Sequence, residues 1–314
     1  MHLEVTASGS AWARPRLAPQ AGEDVFAYLD RVHGGFEAAA YRAIVGAASE
    51  FKEGDATLGL AAPDEATRSA ARVLLAATTI GDLQAHPLRE DRLYAALLAD
   101  LDREVSARIA DWTLAALKQF VLSADEAAIK AILPGLASDV IACVVKLMSD
   151  AELVALGARL FHPLPGRRLG ARGYLAARLQ PNSPTDHPED IRWQVLDGWS
   201  YGVGDLLLGT NPASSDPAAV AAVEAALLDL RETFAVAELL PHCVLAHIDV
   251  QAALEAATPG STGIWFQSLA GSDAANATFG ISVESMRRRA SERGGMYGMY
   301  FETGQGSELT NGHG

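Results

Sequence analysis

The hydrophobic period of this chain changes once, and that change limits the fold more than any other feature. From Glu23 to about Phe161 apolar residues recur at helical spacing on an alanine- and leucine-rich background, with no strand-like alternation of any length. Helix starts are legible within it. Asp24 is placed to cap a first helix, a second helical stretch spans 36–50, and Ser123-Ala124-Asp125-Glu126 and Ser149-Asp150-Ala151-Glu152 both fit the capping box. The alanine content is explained by helix propensity and close packing, with no chemistry implied. Pro163 to Gly173 is a Pro/Gly/Arg-rich connector, after which short apolar runs alternate with helical ones. Strands are expected over 174–180, 205–210, 243–248, 263–269 and 296–302. Helices are expected over 188–200, from the Asp216 cap and Pro217 onward, over 251–257 and over 283–293. Consecutive βα units of this spacing mean a parallel sheet, either a barrel or a doubly wound sheet. The fold class is therefore α/β, with an all-helical domain over 1–165 and a βα domain over 166–314.

The composition agrees. A length of 314 residues suits about two domains, and 49 % apolar with 20 % charged residues excludes a wholly disordered chain. Lys and Arg number 25 against 39 Asp and Glu, so the formal net charge is −14. Nucleic acid is an unsuitable partner for such a surface, because phosphate binding needs a basic face. The two cysteines, Cys143 and Cys243, both sit in apolar runs and read as core thiols in a reducing compartment. The first sixteen residues lack the apolar stretch of a secretory signal. No membrane span is expected, since Lys146 interrupts one apolar candidate and Glu224 and Asp229 the other. These features predict a soluble, cytoplasmic protein.

On βα scaffolds the chemistry collects at the carboxyl ends of the strands, where the loops converge on one mouth. Here the five expected strands end in Arg178 and Gln180, in Thr210 and Asn211, in His247, in Gln267 and Ser268, and in Glu302. A single polar ending carries nothing, because loops are polar; five after apolar runs favour a site. Arg178 and Gln180 are two apart and so share one side of the sheet. The set holds a carboxylate for an ammonium group, a guanidinium for an oxygen, and amides that both donate and accept. It holds no activated nucleophile, no strand-end lysine and no metal-ligand spacing, so a cofactor is expected to supply the reactive group. His242 and His247 lie five apart in one expected strand, face opposite sides and make a poor metal pair. His247 reads better as a hydrogen-bonded structural residue than as a catalytic one. Gly304-Gln305-Gly306 is a tight turn, too short for a dinucleotide fingerprint. Arg287-Arg288-Arg289 with Arg293 reads as a solvated helix face, with a subunit contact as the alternative. Trp193 and Trp199 read as packing.

Several of these segments carry a resemblance. Phe51-Lys52-Glu53-Gly54-Asp55 comes first, then Ala177-Arg178-Leu179-Gln180-Pro181-Asn182 and Gly198-Trp199-Ser200-Tyr201-Gly202-Val203-Gly204-Asp205. Gly209-Thr210-Asn211-Pro212, Cys243-Val244-Leu245-Ala246-His247, Phe266-Gln267-Ser268-Leu269-Ala270-Gly271 and Tyr300-Phe301-Glu302-Thr303-Gly304-Gln305-Gly306-Ser307 follow in order. The series resembles the large subunit of ethanolamine ammonia-lyase, an adenosylcobalamin-dependent family that converts ethanolamine to acetaldehyde and ammonia. The resemblance implies a helical region followed by a (β/α)8 TIM barrel. On matching positions it implies that Arg178, Gln180, Asn211 and Glu302 grip the substrate, with Glu302 and Arg178 the principal catalytic residues. Pro212, Gln267 and Thr310 would contact the cobalamin; Thr310 stands where the family usually has a serine. A small subunit would complete the cobalamin site in a hetero-oligomer, in free cytosol or in a bacterial microcompartment.

The sequence also departs from the family pattern. The segment between Gly280 and Tyr300 is shorter. Only about five βα strands precede Gly314, whereas the family continues through three more, one of which brings an aspartate to the substrate. Residues 166–314 fall short of the ~200 that the smallest complete barrels use. A truncated chain is therefore expected, either part of a working lyase subunit or a catalytically inactive remnant serving in assembly.

Overall fold

The computed structural model describes residues 17–57, 59–203 and 206–303. The first half is helical throughout, in the order α1 (Val25–His33), α2 (Ala38–Ala47), α3 (Glu53–Thr57), α4 (Glu65–Ala77), α5 (Ile80–Ala85) and α6 (Arg92–Ala99). It continues with α7 (Arg103–Ile109), α8 (Leu114–Ser123), α9 (Glu126–Ile132), α10 (Ser138–Lys146) and α11 (Asp150–Gly157). Short helices need their ends satisfied, and side-chain caps do this repeatedly. Asp24 accepts from the Ala27 amide at 2.8 Å, Asp64 from Thr67 at 2.7 Å and Asp91 from Tyr94 at 2.8 Å. Each such cap contributes about 1 kcal/mol. Ser149 and Glu152 form the expected capping box at α11. The other box does not form. Ser123 is the last residue of α8, with its hydroxyl turned back on Gln119 O, and a helical residue cannot serve as the extended cap of the next helix. Asp125 caps α9 instead. Leu29, Leu74, Leu75, Ile80, Leu114, Leu117 and Ile129 form the centre of one core drawn wholly from this half.

The second half alternates strand and helix as expected, except for an added short helix before α16: β1 (Ala177–Leu179), α12 (Pro188–Ser200), β2 (Leu206–Thr210), α13 (Pro217–Thr233), β3 (His242–Val244) and α14 (Ile248–Ala257). It continues through β4 (Trp265–Leu269), α15 (Asp273–Thr278), α16 (Val283–Glu292) and β5 (Met299–Thr303). All paired strands are parallel, with Arg178 opposite Leu207, Gly209 opposite Cys243, and Gln267 opposite Phe301. The ladders are β1-β2-β3 and β4-β5. Between them the Ile264 amide donates to His242 O at 2.8 Å. Gly263 permits that approach, because a Cβ there would stand 2.0 Å from the His242 oxygen.

Apolar side chains pack on both faces of the strands, as expected for a parallel sheet covered on both sides. Leu208, Val244 and Ala246 pack on Ile191, Val195, Val220, Val223 and Leu227 of α12 and α13. Leu207, Cys243, Phe266 and Tyr300 cluster on the opposite face. Four strand spacings of ~4.8 Å would hold β1 and β5 some ~19 Å apart in a flat sheet. Arg178 on β1 nevertheless contacts Glu302 on β5 directly, so the strands curl around that second face.

Three expectations are corrected. The first strand is three residues long, because Leu175 is 93 % exposed and lies before the ladder. The third ends at Val244, so His242 and His247 do not share a strand. His242 is buried between Arg231 (2.7 Å) and Glu224 (2.9 Å), whereas His247 caps α14 through the Asp249 amide. Trp193 is 68 % exposed and does not pack, although Trp199 sets its ring edge-on to Phe234. No helix among the described residues is long and apolar enough to cross a membrane.

Candidate active site at the strand ends

The period-two geometry of β1 sends Arg178 and the following Gln180 to the concave face. Room for the arginine comes from Gly209 on the neighbouring strand, where a Cβ would stand 2.6 Å from Arg178 Cδ. One guanidinium nitrogen, Nη2, donates to Gln180 Oε1 at 2.6 Å. The other, Nη1, donates to Tyr300 OH at 3.0 Å and forms an ion pair with Glu302 Oε1. Tyr300 OH donates in turn to Glu302 Oε1 at 2.6 Å. The Tyr300 ring lies 5.9 Å from the Arg178 guanidinium and 5.7 Å from the Phe266 ring, which fixes its orientation.

Four side chains from two strands remote in sequence thus share one hydrogen-bonded cluster. The pair is partly exposed, with side-chain exposures of 26 % for Arg178 and 35 % for Glu302, so it is reachable from the mouth. Partial burial pushes the Glu302 pKa up, but the Tyr300 hydroxyl and the Arg178 guanidinium outweigh it and hold the carboxyl below its usual range. Burial and the adjacent carboxylate push the Tyr300 phenol up to about 12, which keeps it a hydrogen-bond donor at neutral pH. Cys243 is buried beneath the cluster, and burial raises its thiol pKa, so it is a packing residue rather than a nucleophile.

The remaining expected residues are distributed differently. Asn211 is exposed directly after β2, and Pro212 beside it is half-buried. Gln267 is 4 % exposed; its Oε1 accepts from the Ile248 amide at 3.0 Å and its Nε2 donates to Ser268 O at 3.0 Å. It shares the side of β4 that Trp265 presents to α14, not that of Phe266. Thr310 and the Gly304-Gln305-Gly306 turn lie outside the described residues. Arg287 and Arg288 are exposed as expected, but Arg289 pairs with Asp249 at 2.7 Å. Arg293 folds back over Trp265 and onto Gly263 O. Sequence reasoning missed Tyr300. The signal was available, since Tyr300 precedes Glu302 by two residues in a strand, the same spacing that joins Arg178 to Gln180.

Chemically, the cluster has one carboxylate, one guanidinium, one amide and one phenol beside a reachable space. That is a grip for a small molecule carrying both a cationic nitrogen and an oxygen. Residues 36–314 match the family model described as ethanolamine ammonia lyase large subunit (EutB). The chain belongs to that family. Two relatives named ethanolamine ammonia-lyase large subunit, from Escherichia coli strain K12 and Salmonella typhimurium, are each 32 % identical to this member. Each alignment covers 86 % of the chain and 61 % of the relative. This ethanolamine ammonia-lyase large-subunit homologue therefore spans about three-fifths of the length of those relatives. The matched region takes in every strand and the whole Arg178–Gln180–Tyr300–Glu302 cluster.

Proposed function

We propose that this chain is the ethanolamine-binding part of an adenosylcobalamin-dependent ammonia-lyase, acting on ethanolamine to give acetaldehyde and ammonia. The observation that carries the reading is the convergence of Arg178 and Gln180 from β1 with Glu302 from β5 on one concave face. In this reading residues 1–165 form a helical domain, and residues 166–314 form five units of a (β/α)8 barrel. The sequential parallel order and the curl of the strands support the barrel. A small subunit completes the assembly as a hetero-oligomer, in keeping with the large-subunit name of the relatives.

Glu302 is the residue for the substrate ammonium, and its depressed pKa keeps it ionised for that purpose. Arg178 suits the hydroxyl oxygen. Gln180 and Asn211, each able to donate and accept, fix the orientation of the two-carbon chain between them. In the free protein Arg178 and Glu302 satisfy each other, and ethanolamine exchanges that contact for one of its own charge pattern. When bound, adenosylcobalamin supplies homolytic hydrogen-atom chemistry, which none of these side chains provides. Pro212, half-buried beside exposed Asn211 in the loop after β2, would contact such a group. Gln267, expected at the same contact, is instead buried on the α14 side of β4, its amide held by Ile248 N and Ser268 O. Thr310 completes the proposed set.

The test mixes the full chain with a family small subunit, adenosylcobalamin and ethanolamine, and measures acetaldehyde. Turnover that is lost in Glu302→Gln while cobalamin affinity stays within about twofold supports the reading. A complex that binds cobalamin but yields no acetaldehyde would assign the chain a non-catalytic role in assembly.

A further inference from the structure

The loop between β1 and α12 contains a residue whose geometry is costly and specific. Asp186 is 5 % exposed and has a φ of 53°, in the left-handed region that residues with a Cβ rarely adopt. Both of its carboxylate oxygens face out of its own loop and into the next one. Oδ1 accepts from the Ala213 amide at 2.7 Å and Oδ2 from the Ser214 amide at 2.8 Å. Those are the two residues immediately after Asn211 and Pro212. On the other side of that dipeptide, the Thr210 hydroxyl donates to Pro181 O, again crossing between the same two loops. The Asn211-Pro212 turn is therefore fastened before and after its exposed pair.

The anchor is itself braced. Asp186 N donates to Ser183 O at 3.3 Å, and the Ser183 hydroxyl accepts from the His187 amide at 3.1 Å and donates to Asp190 Oδ2 at 3.0 Å. Ser183 is buried. Two amides on one carboxylate are charge-assisted bonds, short and directional, and they convert a free loop into a fixed one. A lone helix cap would not need the partner to be the loop that carries Asn211.

From this we infer that Asp186 is a positioning residue, which sets where Asn211 and Pro212 stand relative to Arg178 and Gln180. The inference rests on the function proposed above for its consequence in binding, but the clamp can be read without any ligand. Hydrogen exchange on the full chain compares wild type with Asp186→Asn. That variant keeps one acceptor and sets an amide donor against the Ser214 N–H. Exchange across 211–216 should speed up by about tenfold or more, the loss of one bond to a charged acceptor, while α1 to α11 keep their protection. Unchanged exchange at 211–216 overturns the inference.

The second arm measures ethanolamine affinity in the complex with the small subunit for wild type, Asp186→Asn, Asn211→Ala and the double variant. If Asp186 acts through Asn211, its penalty of about tenfold shrinks to about twofold or less once Asn211 is removed; a merely structural role leaves the two penalties multiplicative. Multiplicative penalties overturn the inference. Should Asp186→Asn not fold, Asp186→Glu keeps the charge and displaces both oxygens, and both arms are read on it in the same way. A wild-type complex that binds no ethanolamine refutes the functional reading, and the exchange arm still decides the clamp.

Discussion

At the scale of single residues, the charge on Glu302 is set by two neighbours that sequence reading treats unequally. Arg178 is legible as a partner because a guanidinium at one strand end and a carboxylate at another are obvious complements. Tyr300 is not, since an aromatic residue in a strand is usually core. Its ring does pack on Phe266, but its hydroxyl is 2.6 Å from Glu302 Oε1. Glu302 has a lowered pKa in the folded protein. Its ion pair therefore contributes stability above the ordinary carboxylate pKa, and that contribution fades as pH falls through the folded value. Exposure of the pair keeps the contribution small. Tyr300→Phe removes one of the groups that lower the pKa. The acid limb of ethanolamine affinity should then move to higher pH, while affinity at pH 7, where Glu302 is ionised in both proteins, falls only about two- to fivefold. Binding measured from pH 3.5 to 7 checks this; superimposable profiles would make Tyr300 a packing residue alone.

At the scale of elements, what a sequence shows is period, and what it hides is pairing. Asp24, Asp216 with Pro217, and the Ser149–Glu152 box were readable because capping depends on a few adjacent residues. Strand ends were not, because a strand stops where its neighbour stops. Leu175 is apolar and extended in the sequence pattern but has no ladder beside it. His247 follows an apolar run but stands beyond the last paired residue, Val244. Gly209 is the clearest case, since its role depends on the side chain of a different strand. A Cβ on Gly209 meets Cδ and Cγ of Arg178 at 2.6 and 3.0 Å, so the arginine stem has to move. Gly209→Ala should thus change stability by no more than about 1 kcal/mol, since alanine loses less chain entropy than glycine. The displaced guanidinium should lose Gln180 and Glu302, and ethanolamine affinity should fall about tenfold. Urea unfolding and calorimetric titration measured on the same variant separate the two effects. A stability loss well above that limit with intact affinity would mean that β2 moves rather than Arg178.

At the scale of the whole molecule, the two halves differ in kind as well as in period. The core of the first half closes on itself, because every side chain in it comes from residues 17–160. Among the described residues, α6 of the first half meets α15 and α16 of the second through polar contacts. At the starts of α6 and α15, Arg92 N donates to Asp273 Oδ2 at 3.2 Å and Asp273 N donates to Asp91 Oδ2 at 3.0 Å, so each helix start is tied to the other half's acid. Arg92 with Glu284 and Arg287 with Asp100 add exposed pairs at 3.7 and 3.6 Å, which are worth little in water. Such contacts align the two halves without the core of the first depending on them. Residues 17–165 alone should therefore fold, giving a helical circular dichroism spectrum and one cooperative thermal transition. Asp273→Ala in the full chain should leave that transition within a few degrees of its wild-type midpoint, since about 1 kcal/mol of capping is at stake. A fragment that melts without cooperativity would show that the helical half needs the βα half to fold, and the domain boundary at the Pro163–Gly173 connector would have to be abandoned.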